Sequence, residues 1–112
     1  MISLLKAMGY IYMELRHFSE AIRCFTEAIE LFNGKGFKKA KSSDLYFRRS
    51  QAVFYNKFAS LEMLQIAKGD IEEACAIEAD VDIYKISLQQ INELIETTIT
   101  EKATKVNSKY QL

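Results

Sequence analysis

The sequence predicts an all-α fold of antiparallel helical hairpins, four to five helices in total, and three observations carry that prediction. Apolar residues recur at three- and four-residue spacing along most of the 112 residues, the mark of helices that each bury one stripe. Proline is absent and only four glycines occur, so the frequent turns of an all-β chain are missing. The length suits one small domain, close to the size at which a single core becomes marginal.

The first helix spans Ile2 to Leu15, where Leu4, Leu5, Met8, Ile11, Tyr12 and Leu15 form the expected buried stripe. Arg16-His17-Phe18 is a short break, after which Ser19 and Glu20 supply acceptors and negative charge to the start of a second helix. That helix carries Ala21, Ile22, Phe25, Ala28, Ile29 and Phe32 on one face. Asn33-Gly34-Lys35-Gly36 ends it, because Asn and Gly enter the left-handed conformation at low cost.

A basic linker, Phe37 to Lys41, leads to Ser42, Ser43 and Asp44, several suitable N-caps for a third helix. From Tyr46 the stripe runs through Ser50, Val53, Phe54, Phe58, Leu61 and Leu64 with no Gly before Gly69. The simplest expectation is one long third helix of about 24 residues, roughly 36 Å at 1.5 Å per residue. Gly69-Asp70 breaks the pattern, and Asp70 with Glu73 resembles a capping box opening the next helix. The stripe resumes as Ile71, Ala74, Ile77, Val81, Tyr84, Leu88, Ile91 and Ile95. Ala79-Asp80-Val81-Asp82 fits either a new helix start or solvated surface within a long C-terminal helix; the start of a new helix is the reading taken here. Beyond Thr100 the apolar stripe stops, and the helix is expected to fray.

Fifteen basic residues balance fifteen acidic ones, which removes the global positive field of a general nucleic-acid binder. Two cysteines, Cys24 and Cys75, make neither a disulfide framework nor a metal set. The apolar start is interrupted by Lys6, Glu14 and Arg16, so neither a secretory segment nor a membrane span fits. Neither end carries a lipidation signal. The expected setting is the cytoplasm with both thiols reduced, away from membrane and nucleic acid.

Leu5, Met8, Gly9, Tyr12, Phe18, Ala21, Phe25 and Ala28 form a series of large, apolar, small, aromatic, aromatic, small, aromatic and small residues. By that series residues 2–33 resemble the tetratricopeptide repeat, whose 34-residue unit places those residue types at those positions. Asn33 replaces the proline that often closes the unit, and Leu5 the frequent tryptophan. Over residues 44–102 the resemblance is loose. Residues 45–52 look like the opening of a second unit and residues 68–74 like its inter-helix turn, yet they stand too far apart, requiring an insertion or an extended first helix. The resulting organisation is a single domain over 1–104, with a first repeat at 2–33, an irregular second repeat at 43–79 and a capping helix at 80–104, then a frayed polar tail at 105–112.

The resemblance implies a non-catalytic module that binds a peptide or partner domain in a concave groove, as an adaptor or scaffold. Carried over position by position, the groove residues are Lys6, Tyr10, Met13, Asp44, Phe47, Arg48 and Gln51. Lys6 and Arg48 also fit the clamp with which one subclass holds the C-terminal carboxylate of heat-shock chaperones. Tyr10 stands in that clamp where asparagine is expected and Asp44 where lysine is, and an acid there repels a carboxylate. A structural subunit embedded in a larger complex is the alternative, and a homo-oligomer is consistent with either.

No residue pattern points to catalysis, a metal or a cofactor. His17 is the single histidine and sits in a turn, which fits a surface or capping role. Cys24 and Cys75 read as inert, at least half-buried thiols. Gly34-Lys35-Gly36 follows a helix and lacks the Gly-Lys-Ser/Thr ending of a phosphate loop. From Lys35 to Arg49 six bases face one acid, and from Glu62 to Asp82 seven acids face one base, which fits solvated surface or steering of an acidic partner segment. Phe54 and Tyr55 are adjacent and cannot share a face, so Tyr55 is an expected exposed contact.

Overall fold

A computed structural model describes residues 1–34 and 42–110, with side chains described through residue 103. Within them the chain forms five helices and no strand: α1 (Ile2–Glu14), α2 (Phe18–Gly34), α3 (Ser43–Phe54), α4 (Leu61–Ile77) and α5 (Asp82–Tyr110). Lys35, Gly36 and the basic linker fall outside the described residues.

α1 stops through backbone geometry alone. Arg16 adopts a φ of 60°, its N–H bonds to the Met13 carbonyl and the His17 N–H to the Tyr12 carbonyl. This is a Schellman closure with arginine in the left-handed position usually given to glycine. The chain reverses within three residues, and α2 returns against α1 from Phe18.

The two helices meet at Gly9 and Phe25. Phe25 is 0 % exposed, and a Cβ at position 9 would lie 2.6 Å from its Cε1 and Cζ. Ala21 and Ala28, both fully buried one turn to either side, keep the rest of the α2 face equally low. Leu45 and Ala52 of α3 then close over Ala28, Ile29 and Phe32, completing the first core. Two further clusters continue it. Phe47, Ile71, Ala74 and Tyr84 form one, and Val53, Leu64, Ala67 and Ile91 the other, joining α3, α4 and α5.

The expected long third helix is instead two helices. Asn56 ends α3: its Oδ1 accepts the Phe58 N–H at 3.0 Å and its carbonyl accepts the Ala59 N–H, a side-chain-stabilised turn that competes with helix. Ser60 then caps α4 by accepting the Met63 N–H at 3.2 Å. Phe58, expected in the buried stripe, is 93 % exposed on this loop.

Gly69 and Asp70 do not break the chain either; both lie inside α4. Asp70 is buried and its carboxylate takes a two-pronged bond from Arg49, Nε at 2.8 Å and Nη2 at 2.7 Å. Arg49 Nη1 also donates to Thr26 Oγ1 at 3.3 Å, so one guanidinium ties α2, α3 and α4. The role expected of Asp70 at a helix start is thus taken by an ion pair across helices.

α4 ends at Ile77, and the break before Asp82 is present. α5 continues as helix to Tyr110, past the point where fraying was expected. Its first turns are pinned to α3: Phe47 and Tyr84 rings lie 5.0 Å apart, and the Tyr84 hydroxyl is 3.2 Å from Ser43 Oγ, which donates to Glu78 Oε1 at 2.6 Å.

The second hairpin, α3 and α4, buries small and apolar positions in a similar order to the first, with a longer joint. Ser50 stands where Gly9 does, 41 positions later, while Ala67, Ile71 and Ala74 stand where Ala21, Phe25 and Ala28 do, 46 later. The five extra residues form the longer 55–60 loop and an additional first turn of α4. α1 also departs from expectation, since only Leu5 and Gly9 of it are buried while Leu4, Met8, Ile11 and Leu15 remain exposed.

The two helical glycines should respond oppositely to alanine. At Gly9 the added methyl overpacks a buried ring, an effect of about 1–3 kcal/mol that outweighs the gain in helix propensity. At Gly69 a Cβ meets nothing within 4 Å, so alanine should stabilise by about 0.5–1 kcal/mol. Urea unfolding of Gly9→Ala and Gly69→Ala measures both, and stabilisation by both would contradict the close approach.

Candidate functional site

Positions i, i+4 and i+7 of a helix share one face, and the chain uses that spacing twice. α1 presents Lys6, Tyr10 and Met13, and α3 presents Asp44, Arg48 and Gln51. Because α2 holds α1 on one side and α3 on the other, these two rows lie side by side.

Asp44 is the centre of the arrangement. Its Oδ2 lies 2.6 Å from Lys6 Nζ and accepts the Tyr10 hydroxyl at 3.2 Å, and its Oδ1 lies 3.3 Å from Arg48 Nε. The last is an ion pair without a hydrogen bond, for the buried Nε–H is not aimed at the oxygen. Arg48 instead donates through Nη1 to Gln51 Oε1 at 3.2 Å. Its guanidinium carbon lies 5.1 Å from the Tyr10 ring centre and 5.3 Å from that of Phe47, within cation–π range of both. Tyr10 meets Phe25 edge-on at 6.0 Å, which fixes it to the core beneath.

Five of the residues expected in the groove therefore come together: Lys6, Tyr10, Asp44, Arg48 and Gln51, all half-buried. Met13 is half-buried against the first core. Phe47 corrects an expectation. It is 4 % exposed among Ile71, Ala74 and Tyr84, because α5 covers the side of α3 on which it sits, so it supports the Arg48 guanidinium from beneath and offers no surface. Tyr55 is 52 % exposed, packs edge-on against Phe54 at 5.4 Å, and with Arg16, Phe18, Asn56, Lys57 and Phe58 lines an open hollow of about 250 Å³.

Two contributions escape sequence reasoning. Ser87 and Gln90 of α5 meet Gln51 and Tyr55 around a small cleft, extending the α1–α3 face onto a third helix. The polar residues between the α5 apolar positions are the signal for this, though they read equally as solvated surface. The other is the part played by Asp44, which gathers the two cations rather than confronting a ligand. Among the described residues no three His, Cys, Asp or Glu side chains converge as a metal set, and no helix is long and apolar enough to cross a membrane.

Burial is the largest single influence on the Asp44 carboxyl and pulls its pKa upward. The Lys6 hydrogen bond, the Lys6 and Arg48 charges and the Tyr10 hydroxyl together outweigh it and hold the group below the usual carboxylate value. The same hydrogen bond is the main reason that the Lys6 ammonium is raised. Asp44 thus stabilises the fold above its unfolded pKa of about 3.9, and this is lost as pH falls through the lower folded value. Lys6 stabilises below its unfolded pKa of about 10.4, a contribution lost as pH rises through the higher folded value.

Asp44→Asn should cost about 0.5–1 kcal/mol at neutral pH, no more because the paired side chains are about one third exposed. The deficit should shrink between about pH 5 and pH 3. Urea unfolding of both proteins across that range is the check, and a deficit independent of pH would contradict the ion-pair account.

No curated protein and no solved structure matches the chain. A family model, that of the tetratricopeptide repeat, matches residues 3–35, the segment that contains all of α1 but its first residue, the Schellman turn, the Gly9–Phe25 contact and α2. Over that hairpin the chain matches the tetratricopeptide repeat family, a protein-interaction fold.

Proposed function

We propose that the protein is a non-catalytic adaptor or scaffold whose two helical hairpins stack as a short solenoid and bind a peptide or partner domain across the face shared by α1 and α3. The observation that carries this reading is the convergence of Lys6, Tyr10, Asp44, Arg48 and Gln51, from helices distant in sequence, into one half-buried and mutually bonded surface. A surface prearranged in this way costs little ordering on binding. The ligand that suits it carries a hydrogen-bonding or acidic group for the Lys6 and Arg48 edges and an apolar group for Tyr10 and Met13. The same reading puts the protein in the cytoplasm with Cys24 and Cys75 reduced.

Recognition of a chaperone C-terminal carboxylate is the weaker version, because both cations already face Asp44 and a ligand carboxylate competes with it. A permanently embedded subunit is a second reading, favoured by the exposure of Phe58 at 93 % and Ile66 at 65 %, apolar groups outside the α1 and α3 rows.

A display selection of random peptides on the full chain tests the groove. Enriched peptides should lose at least about tenfold in affinity, roughly 1.4 kcal/mol, on a Lys6→Glu/Arg48→Glu variant. Peptides that bind this variant undiminished would sink the site assignment.

A further inference from the structure

α1 has a second apolar face on the side away from Lys6, Tyr10 and Met13. Leu4, Ile11 and Leu15 are 58 %, 58 % and 57 % exposed and Met8 36 %, and their spacing places them in one stripe along the helix. The other exposed α1 residues before Glu14 are Ser3 and Ala7, so no charge interrupts the face over three turns. A helix apolar on both sides is one that packs on both sides.

α3 shows what such a stripe does when covered. The positions 41 residues after Leu4, Met8 and Ile11 are Leu45, Arg49 and Ala52, and these turn toward α2, Leu45 and Ala52 buried in its apolar face and Arg49 bonded to Thr26. The α1 stripe is the same kind of helix-packing surface with its single charged position replaced by methionine.

The exposed apolar residues in the first turns of α5 do not complement it. On α5 the exposed Ile83 and Ile86 are flanked by the exposed charges of Asp82 and Lys85 and the amides of Gln89 and Gln90, and a contact of this surface with the apolar stripe would bury those polar groups without partners. The stripe complements itself. In an antiparallel pair Leu4 of one copy lies beside Ile11 of the other, and Met8 meets Met8 near the two-fold axis. Glu14 then reaches the N-terminal turn of the second α1, which has no side-chain cap bond and no acid of its own, where a carboxylate is favoured.

We propose that this outer face of α1 is the interface of a two-fold dimer made by antiparallel pairing of α1 with α1 of a second copy. One pair of helices about 20 Å long covers no more than the low end of the roughly 1,200–2,000 Å² typical of stable complexes. The dimer is accordingly weak, dissociating in the range of about 10–100 μM. The proposal uses no residue of the α1–α3 groove, and either can fail without the other.

Sedimentation of the full chain from about 1 to 500 μM tests it. The expected result is reversible dimerisation that Leu4→Glu/Ile11→Glu abolishes with helical circular dichroism unchanged, and that Lys6→Glu/Arg48→Glu leaves intact. Should the charged variant unfold, Met8→Cys in a Cys75→Ser background decides, since oxidation should link two copies through position 8. A monomer throughout the range, a dimer indifferent to Leu4→Glu/Ile11→Glu, or no position-8 cross-link would overturn the proposal. So would a chain that stays monomeric and binds a synthetic peptide of residues 18–34 on the stripe, which makes another hairpin the occupant.

Discussion

The contact between Gly9 and Phe25 sets where everything else on the first hairpin can be. With a ring atom 2.6 Å from the place of a Cβ, α1 lies closer to α2 than any side chain at position 9 allows. The ring is fully buried, which contributes about 1.5–3 kcal/mol of apolar transfer and leaves it no direction in which to yield. Because Tyr10 follows Gly9 and stands edge-on to the same ring, the contact also sets the height at which its hydroxyl meets Asp44. Lys6, one turn earlier, arrives at the same carboxylate. A packing constraint between two helices thereby positions a polar cluster shared with a third.

The hairpins are joined by groups that orient more than they stabilise. Apolar contact between α2 and α3 is supplied by Ala28, Ile29 and Phe32 against Leu45 and Ala52, and such contact is non-directional. The Arg49–Asp70 pair, bidentate and reaching to Thr26, admits a single arrangement of α2, α3 and α4. Burying such a pair costs desolvation that roughly cancels its attraction, so geometry is its main contribution. Ser43, Glu78 and Tyr84 do the same between α3 and the start of α5. With these fixed, Phe47 lies under Arg48, and the polar cluster has a buried floor.

Much of this is legible in the sequence, and the exceptions have definite causes. The spacing of Ala21, Phe25 and Ala28 announces α2, and Gly9 announces the close approach, because close packing of two backbones needs those residue types there. Position within the repeat puts Lys6, Tyr10, Arg48 and Gln51 on one face, and the structure brings them into contact with one another or with Asp44. Periodicity failed between Asn56 and Ser60, where an apolar stripe runs on through Phe58 and Leu61 although a side-chain acceptor at each end stops the helix. It failed at Gly69 because one glycine costs a long helix only about 1 kcal/mol, less than the packing of Leu64, Ala67, Ile71 and Ala74 returns. The partnership of Asp70 with Arg49, and the burial of Phe47 by α5, depend on contacts across helices that no local pattern encodes.

A double-mutant cycle between positions 9 and 25 measures the constraint itself. Phe25→Leu opens space beside position 9, so the methyl of Gly9→Ala should be tolerated in the double variant. Unfolding free energies of the four proteins should then show a favourable coupling of at least about 1 kcal/mol, within the range seen for residues in contact. Strictly additive losses would mean that α1 does not rest on the Phe25 ring, and that the cluster around Asp44 is placed by something else.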